Sequence, residues 1–522
     1  MLAFIVFPIL AVLTVAILSR WTSLRQQPLY VLMPLLLSFF IPISTVALVP
    51  FDLVNDETVD NRTRLLMWRI IYWVSFALMW LILPVLQAYV ESGYHNPLDR
   101  IKDALRSTLK YHLIMLAAGI AGLIYMAVST GLNFTNLKAL CVALSHSYGL
   151  VLVIWMLGHG CVDIPRNLWH GTVNAKLTKL YMRATVVHDQ YSDAQVSYDD
   201  VVAKIMALEA IKSSKYGEWI DSLVNDIRSQ DMPLSRASTS RAQPRDLTPN
   251  NVASLARRYY RELSLVKRSQ ADWQQLLQDA EYYEDLKSSE TPYVNYIRPV
   301  LFRGGAVLLG ILSVIVTWSE IVADTRLSLV DIIVRKATPT LRLLLAAGFL
   351  GFMCVCVITS LTSMRIFNLY AIVPLQTDAS SLLFYAAYSL RLTVPLSYNF
   401  LMLNGTQETV FQEFLGKFIN LTALGKYFNE LLPRLIIIPI VMTLFNFYEI
   451  VKDYLGFGLG LDYLADTSDL EGGGAVVAAE SEGRGLVRRS LQGFNQSRFD
   501  VSAEPPAEES GGLMARVYSL FS

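Results

Sequence analysis

Long apolar runs, separated by short polar connections, leave this chain few ways to fold. A helix that crosses the hydrocarbon of a bilayer needs about 20 predominantly apolar residues. Runs of that size are Leu2–Ser19, Leu29–Leu53, Leu65–Val90, Tyr111–Gly131 and Leu137–Ile164, then Val300–Val322, Leu341–Met364, Ser381–Leu403 and Leu431–Leu455. In lipid every backbone polar group has to be satisfied within the segment, so such runs are helices. The expected fold is an all-α, polytopic membrane protein of about nine transmembrane helices, five and then four. Arg391 and Pro395 interrupt the eighth run. Composition agrees: 17% of the chain is charged, against about 25% in an average soluble domain, and the mean hydropathy is +0.39.

Between the two sets of spans lies a polar stretch with no long apolar run, Pro165–Thr291. The expected divisions are a first bundle over 1–164, a soluble helical insert over 165–296, a second bundle over 297–457 and a disordered tail over 458–522. Within the insert, Val173–Arg228 and Val252–Lys287 carry helical periodicity (Leu177, Leu180, Tyr181, Val201, Ile205, then Leu255, Tyr259, Leu263, Val266, Trp273, Leu277). The segment 229–250 is rich in Ser, Arg, Pro and Gln and reads as a flexible linker. Two long helices with a hinge predict an antiparallel coiled-coil hairpin or, equally, helices packed on the bundle. Ser235, Ser238 and Ser240 stand among arginines, where a basophilic kinase would act.

Charge sets the orientation. Arg20 and Arg25 follow the first run, which places the N-terminus outside or in a lumen and, after nine spans, the C-terminus in the cytosol. Glu91–Lys110 and Pro165–Arg298 are rich in Lys and Arg and fall inside; Arg326, Arg335 and Lys336 fit the rule less well. The glycosylation sequons at Asn61, Asn133, Asn404 and Asn420 fall outside, Asn404 and Asn420 on the longest outer loop; Asn495 falls in the tail. Val410–Phe428 on that loop is amphipathic, with Phe411, Phe414, Leu415 and Phe418 on one face, as suits a helix on the outer membrane surface or capping the bundle. The host membrane is the plasma membrane or an endomembrane.

Charges balance at 44 Lys+Arg against 44 Asp+Glu, so nothing attracts nucleic acid. No phosphate loop, zinc-protease, nucleophile-elbow or dinucleotide fingerprint occurs, and no enzymatic activity, cofactor or metal is expected. Cys141, Cys161, Cys354 and Cys356 all sit in apolar runs and read as small hydrophobes; a metal at Cys354-Val-Cys356 lacks a nearby histidine. Ionisable groups within the spans are the better lead, because each is costly unless paired or solvated. They are Asp52, Arg69, Asp163, Glu320 and Arg391, with the polar Asn399 near the last and Asp378 just before its span. For Asp52, Asp163 and Glu320 the plain alternative is an interfacial side chain, and Arg69 is placed to snorkel outward. A mid-span Arg391 has to face the bundle interior or a wet cavity and find an acid or carbonyls.

Several strings at span ends carry a likeness: VPFD over 49–52, GHGCVDIPRNLW over 158–169, WSE over 318–320, YAIVPLQTD over 370–378 and RLTVPLSYNFL over 391–401. In that order they resemble the limb-region-1-like membrane protein family, of the lipocalin-receptor type, over about residues 1–460, and the long insert resembles one branch of it. Val394-Pro395 stands where the family pattern has a double proline. The resemblance implies nine spans, a cytosolic coiled-coil loop and a role as receptor, escort or regulator, in this branch a regulator of G-protein-coupled receptor signalling. It supplies no catalytic residues.

Three roles follow as expectations. The first is a regulator of receptor signalling or trafficking whose partners, a membrane receptor among them, bind through 173–287, with homo-oligomerisation left open. The second is a small-solute transporter, or an escort for one, with its polar site around Arg391. The third is an endocytic receptor using Val410–Phe428.

Overall fold

The computed structural model describes residues 2–25, 27–54, 61–129, 134–209, 216–230, 248–289, 291–323, 325, 327–363, 370–405, 409–416, 428, 430–447 and 480–492. The described residues are almost wholly helical, and their one β-bridge pairs Thr22 with Gln376. Helices α1 (Leu2–Trp21) and α2 (Leu29–Val54) are followed by α3 (Asn61–Glu91), whose middle turn Leu78–Ile82 widens to π geometry. Then come α4 (Pro97–Ser129) and α5 (Phe134–Trp169). The insert supplies α6 (Val173–Glu209), α7 (Gly217–Ser229) and α8 (Pro249–Ser288). After it come α9 (Arg298–Ile321), the short α10 (Leu329–Lys336), α11 (Pro339–Ser363), α12 (Ala379–Leu403) and α13 (Ile437–Leu444). A last helix, α14, covers 480–492.

Five described helices are long and apolar enough to cross a membrane: Leu29–Leu53, Asn61–Glu91, Val142–Trp169, Arg298–Ile321 and Pro339–Ser363. Val6–Trp21 and Pro433–Leu444 are shorter apolar helices. Ile114, Ile124, Leu308 and Val314 are well exposed. On a bundle in lipid such side chains meet acyl tails as apolar as themselves.

The expected eighth span is one continuous helix, α12, and the most enclosed in the bundle. Its polar residues explain why composition undersells it. Ser389, Thr393, Ser397 and Asn399 are buried inside the protein. Thr393 Oγ1 donates to the Ser389 carbonyl and Ser397 Oγ to the Thr393 carbonyl, both at 2.8 Å. The hydroxyls are thus satisfied within their own helix, around the proline that removes a backbone donor.

Helix α5 is the hub against which α9, α11, α12 and α13 pack. Two glycines let prolines of its neighbours dock. A Cβ on Gly149 would lie 2.5 Å from Pro395 Cγ of α12, and one on Gly158 would lie 2.6 Å from Pro439 Cγ of α13. The shared core joins Leu150, Val153 and Leu157 of α5 to Phe349, Met353 and Cys356 of α11 and to Leu396, Phe400 and Leu401 of α12.

The insert is a helical hairpin. Leu177–Val187 packs on Trp273–Ala280, and Ala194–Ile205 on Ala256–Val266, so α6 and α8 run antiparallel. Helix α7 closes the far end through Ile220, Leu223, Val224 and Ile227. The linker residues 231–247, with Ser235, Ser238 and Ser240, lie outside the described residues; the helix start at Thr248, whose hydroxyl accepts from Asn251 N, takes in the linker's last two residues. The tail, expected to be disordered from 458, contains α14. Its apolar stripe is too short to stand out in a Gly- and Glu-rich sequence.

Candidate functional site

The ionisable residues singled out in the sequence fall into separate places. At the end of α2, Asp52 is 2% exposed. Its carboxylate accepts Phe411 N at 2.9 Å, Val410 N at 3.3 Å and Trp68 Nε1 at 3.2 Å, and Arg64 of α3 stands 3.8 Å away. Phe411 is fully buried, its ring 4.4 Å from that of Trp68. The loop around Val410 and Phe411 therefore caps the bundle, which decides between the two expected placements for its described part, 409–416. Residues 417–427 lie outside the description. Arg64 and Trp68 were missed in the sequence; their spacing from Asp52 gives no signal until the helices pack. Arg69 is exposed, its guanidinium 5.9 Å from the Phe414 ring centroid.

Glu320, at the end of α9, is wholly buried and accepts Asn399 Nδ2 of α12 at 2.5 Å. Beside it Ser319 Oγ accepts Val330 N, and Ser328 Oγ donates to the Leu403 carbonyl, which fixes α10 across the same end of the bundle. Asp331 of α10 pairs with Arg335 at 2.8 Å, which neutralises one of the cations that fitted the charge rule poorly.

Arg391 is half-buried, with its guanidinium 5.1 Å from the Tyr388 ring centroid, and it makes no ion pair with a described residue. Where an acid or carbonyls are expected, the described contact is an aromatic face. Asp163 accepts Asn167 Nδ2 one turn on in α5 at 2.8 Å. Asp378 caps α12, accepting Ser381 N at 2.9 Å and Ser381 Oγ at 2.7 Å. Among these residues only Glu320 and Asn399 meet. A cavity of ≈ 520 Å³ lies between α5, α9 and α13, lined by Cys161, Arg166, Ala306, Gly310, Ser313 and Ile440; neither Glu320, Arg391 nor any other of the ionisable residues singled out above lines it. Cys161 and Cys356 are buried, and no described His, Cys, Asp or Glu residues gather in a group able to hold a metal ion.

Of the sequons, Asn61 is exposed and accepts Arg64 Nη2 at 2.8 Å. Asn404, expected among the favoured acceptors, is 1% exposed with Nδ2 donated to the Phe400 carbonyl at 2.9 Å. The folded chain leaves no room for a glycan there. Asn133, Asn420 and Asn495 lie outside the described residues.

The other end of α3 carries a second polar assembly. Glu91, at the end of α3, accepts Tyr370 Oη at 3.0 Å, Gln87 Nε2 at 3.3 Å and Ser380 Oγ at 2.5 Å. Burial, and then the Glu91 charge, raises the Tyr370 phenol above its ordinary value. Leu375 N donates to the Arg20 carbonyl and Thr377 N to the Trp21 carbonyl, tying the end of α1 to the start of α12. Next to this lies the hairpin. Ala253 of α8 sits so close to Gly93 that a Cβ there would lie 2.0 Å from its carbonyl oxygen. Arg257 pairs with Asp103 at 2.5 Å, and Tyr94 Oη donates to Asn250 Oδ1 at 2.8 Å.

The other end of α8 continues through the turn Tyr293–Ile297 into α9, where Arg298 lies 5.3 Å from the Tyr283 ring and 5.4 Å from the Phe302 ring. Helix α8 has 40 residues, about 60 Å at 1.5 Å per residue. Both of its ends are held, one by the α3–α4 connection and one by α9. The hairpin is a strap across one face of the bundle rather than a stalk.

The family model described as LMBR1-like membrane protein matches residues 1–448. A chicken (Gallus gallus) relative named G-protein coupled receptor-associated protein LMBRD2 is 27% identical over 93% of this chain and 84% of its own length. The human protein of that name is 29% identical over 81% of this chain and 68% of its own. LMBR1 domain-containing protein 2 homolog A of Dictyostelium discoideum is 23% identical over 98% and 81%. No solved structure matches.

Proposed function

Since the chain belongs to the LMBR1-like membrane protein family, we propose that it is a non-enzymatic, receptor-associated regulator whose strapped hairpin is the working surface, facing the cytosol. The observation that carries this reading is the double anchorage of α8, at Gly93 and Asp103 on one side and at Arg298 on the other. A surface held at both ends keeps its shape while presenting one long face, as protein recognition needs. The relatives' name supplies the class of partner, a G-protein-coupled receptor. Lys and Arg enrichment in the hairpin and in Glu91–Lys110 supports the cytosolic orientation.

Capture of a receptor panel by tagged full-length protein tests the reading. Wild type retains a receptor, and a chain lacking 173–287 still inserts in the membrane but loses it. An unchanged partner set after that deletion overturns the proposal. A tag at Ser235 reached only from the lumen or exterior overturns the orientation. The solute-carrier alternative draws no support from the geometry, because Arg391, Asp52 and Glu320 stand with different partners.

A further inference from the structure

The bundle end of the groove between α6 and α8 is filled by the chain's own tail. Val487 of α14 is wholly buried among Leu177, Tyr181, Ala184, Val187, Trp273, Leu276, Leu277 and Ala280, with Leu486 and Leu491 packed at the edge. Gly483 lies against the α6 backbone: a Cβ there would be 1.9 Å from the Tyr181 carbonyl oxygen. Gly483, Val487 and Leu491 recur every four residues and form one stripe. Arg484 and Arg488 repeat at the same interval on the adjoining row. The Arg484 guanidinium stands 5.1 Å from the Tyr181 ring centroid, and the Tyr181 hydroxyl donates to Glu284 of α8. Asp279, Glu281, Glu284 and Asp285 make this end of α8 acidic. The groove thus reads three features of a ligand: an apolar stripe, a glycine at the crossing point, and a cation, Arg484, which stands over the Tyr181 ring and also pairs with Glu480 of its own helix at 2.9 Å.

We infer that this groove is a recognition site for a basic amphipathic helix, that 480–492 occupies it in cis, and that a partner helix of the same pattern binds in trans by displacing it. A helix as short as α14 is marginal in water by itself, since isolated helices below about 12–15 residues scarcely form. It folds on the groove and unfolds on leaving. What holds it is its covalent connection, because a tethered ligand acts at an effective concentration of about millimolar order. The natural competitor is a juxtamembrane helix, basic on one side and apolar on the other, of the kind that positive-inside membrane proteins carry on their cytosolic side. The identity of that competitor rests on the receptor-associated reading above; the groove and its tail occupant do not.

The probe is a fluorescently labelled synthetic peptide of residues 478–494, added to the full-length chain in nanodiscs. Wild type binds it weakly because the groove is full. Full-length Gly483→Val and, independently, Val487→Asp release the tail and bind the wild-type peptide at least tenfold more tightly, with unchanged thermal unfolding of the bundle. A peptide carrying Arg484→Glu and Arg488→Glu loses that binding. Equal affinity for wild type and both released variants overturns the inference, and so does an absence of binding to both. Receptor capture by the same proteins is read separately. Peptide binding as expected with no rise in receptor capture would leave the groove standing and remove the receptor from it.

Discussion

Replacing Asp52 by alanine tests whether the cap at the end of the bundle is an electrostatic latch. The carboxylate satisfies three N–H donors, from Phe411, Val410 and Trp68, and stands 3.8 Å from Arg64. All four groups are shielded, with the Arg64 side chain 6% and the Asp52 side chain 0% exposed. Breaking a buried charge pair from one side costs about 3–5 kcal/mol, because the remaining charge stays buried. Leaving a buried donor unsatisfied costs about 1–3 kcal/mol. These effects overlap at one site, so the sum is taken as about 4–6 kcal/mol rather than the full addition. Asp52→Asn keeps an acceptor oxygen and removes the charge, and is expected to lose about half as much. The assay is thermal unfolding in detergent followed by tryptophan emission, for which Trp68 at the latch is a local reporter. Limited proteolysis near 409–416 gives a second readout, and cleavage there should rise before the bundle unfolds. Arg69→Ala is the matched control, since its exposed cation over Phe414 is worth about 0.5–1 kcal/mol. Asp52→Ala indistinguishable from Arg69→Ala in both readouts would refute the reasoning.

Four further outcomes follow from single contacts. Gly93→Val forces α8 away from the α3–α4 connection at an overpacking cost of about 1–3 kcal/mol; hydrogen exchange should rise over 249–260 and stay unchanged over 273–288. Glu320→Leu orphans the Asn399 amide and costs about 1–3 kcal/mol, whereas Glu320→Gln, which retains an acceptor, costs less, by thermal unfolding. Arg391→Leu loses the contact with Tyr388 and little else, about 0.5–2 kcal/mol; complete failure to fold would reveal a partner beyond that ring. Burial, reinforced by the hydrogen bond to Glu284 and its charge, pushes the Tyr181 phenol from 10.0 up to about 12. The folded state therefore holds this proton more tightly than the unfolded chain. Its stabilising contribution is complete below pH 10 and is lost as the pH rises toward 12; Tyr181→Phe should flatten that part of a pH–stability curve for the hairpin.

Much of the architecture was legible because lipid imposes a length and a hydropathy that each span displays on its own. Helix α12 shows the limit of that signal. Its Ser, Thr and Asn residues lower its apparent apolarity, while its neighbours and its own carbonyls satisfy them, so only packing reveals how enclosed it is. The hairpin periodicity named the residues that pair across α6 and α8, including Tyr181, Tyr259, Val266 and Trp273. It held no information on where the far end docks, because Gly93 and Ala253 are unremarkable residues until they touch. Asp52 was visible as a charge at a span end, but the groups that hold it come from α3 and from a loop more than 350 positions away. For Arg391 the sequence suggests an acid or carbonyls, and the contact that packing adds is the Tyr388 ring on the preceding turn of its own helix.

The strap bears on regulation because of which helices it joins. Its contacts at Ser92–Asp103 belong to the connection between α3 and α4, and those at Arg298 to the start of α9. A rigid α8 of fixed length permits little relative motion of those two anchor points unless one contact opens. The contact at Gly93 depends on the absence of a side chain and the one at Asp103 on a half-exposed ion pair, which solvent weakens. The other end is continuous backbone. Opening should therefore begin at the Asp103–Arg257 side, swinging α8 about the turn at Tyr293–Ile297. A charge exchange, Asp103→Arg with Arg257→Asp, should restore protection of 249–260 that either single change removes. Protection unaffected by the single changes would mean that backbone packing at Gly93 alone holds that end closed.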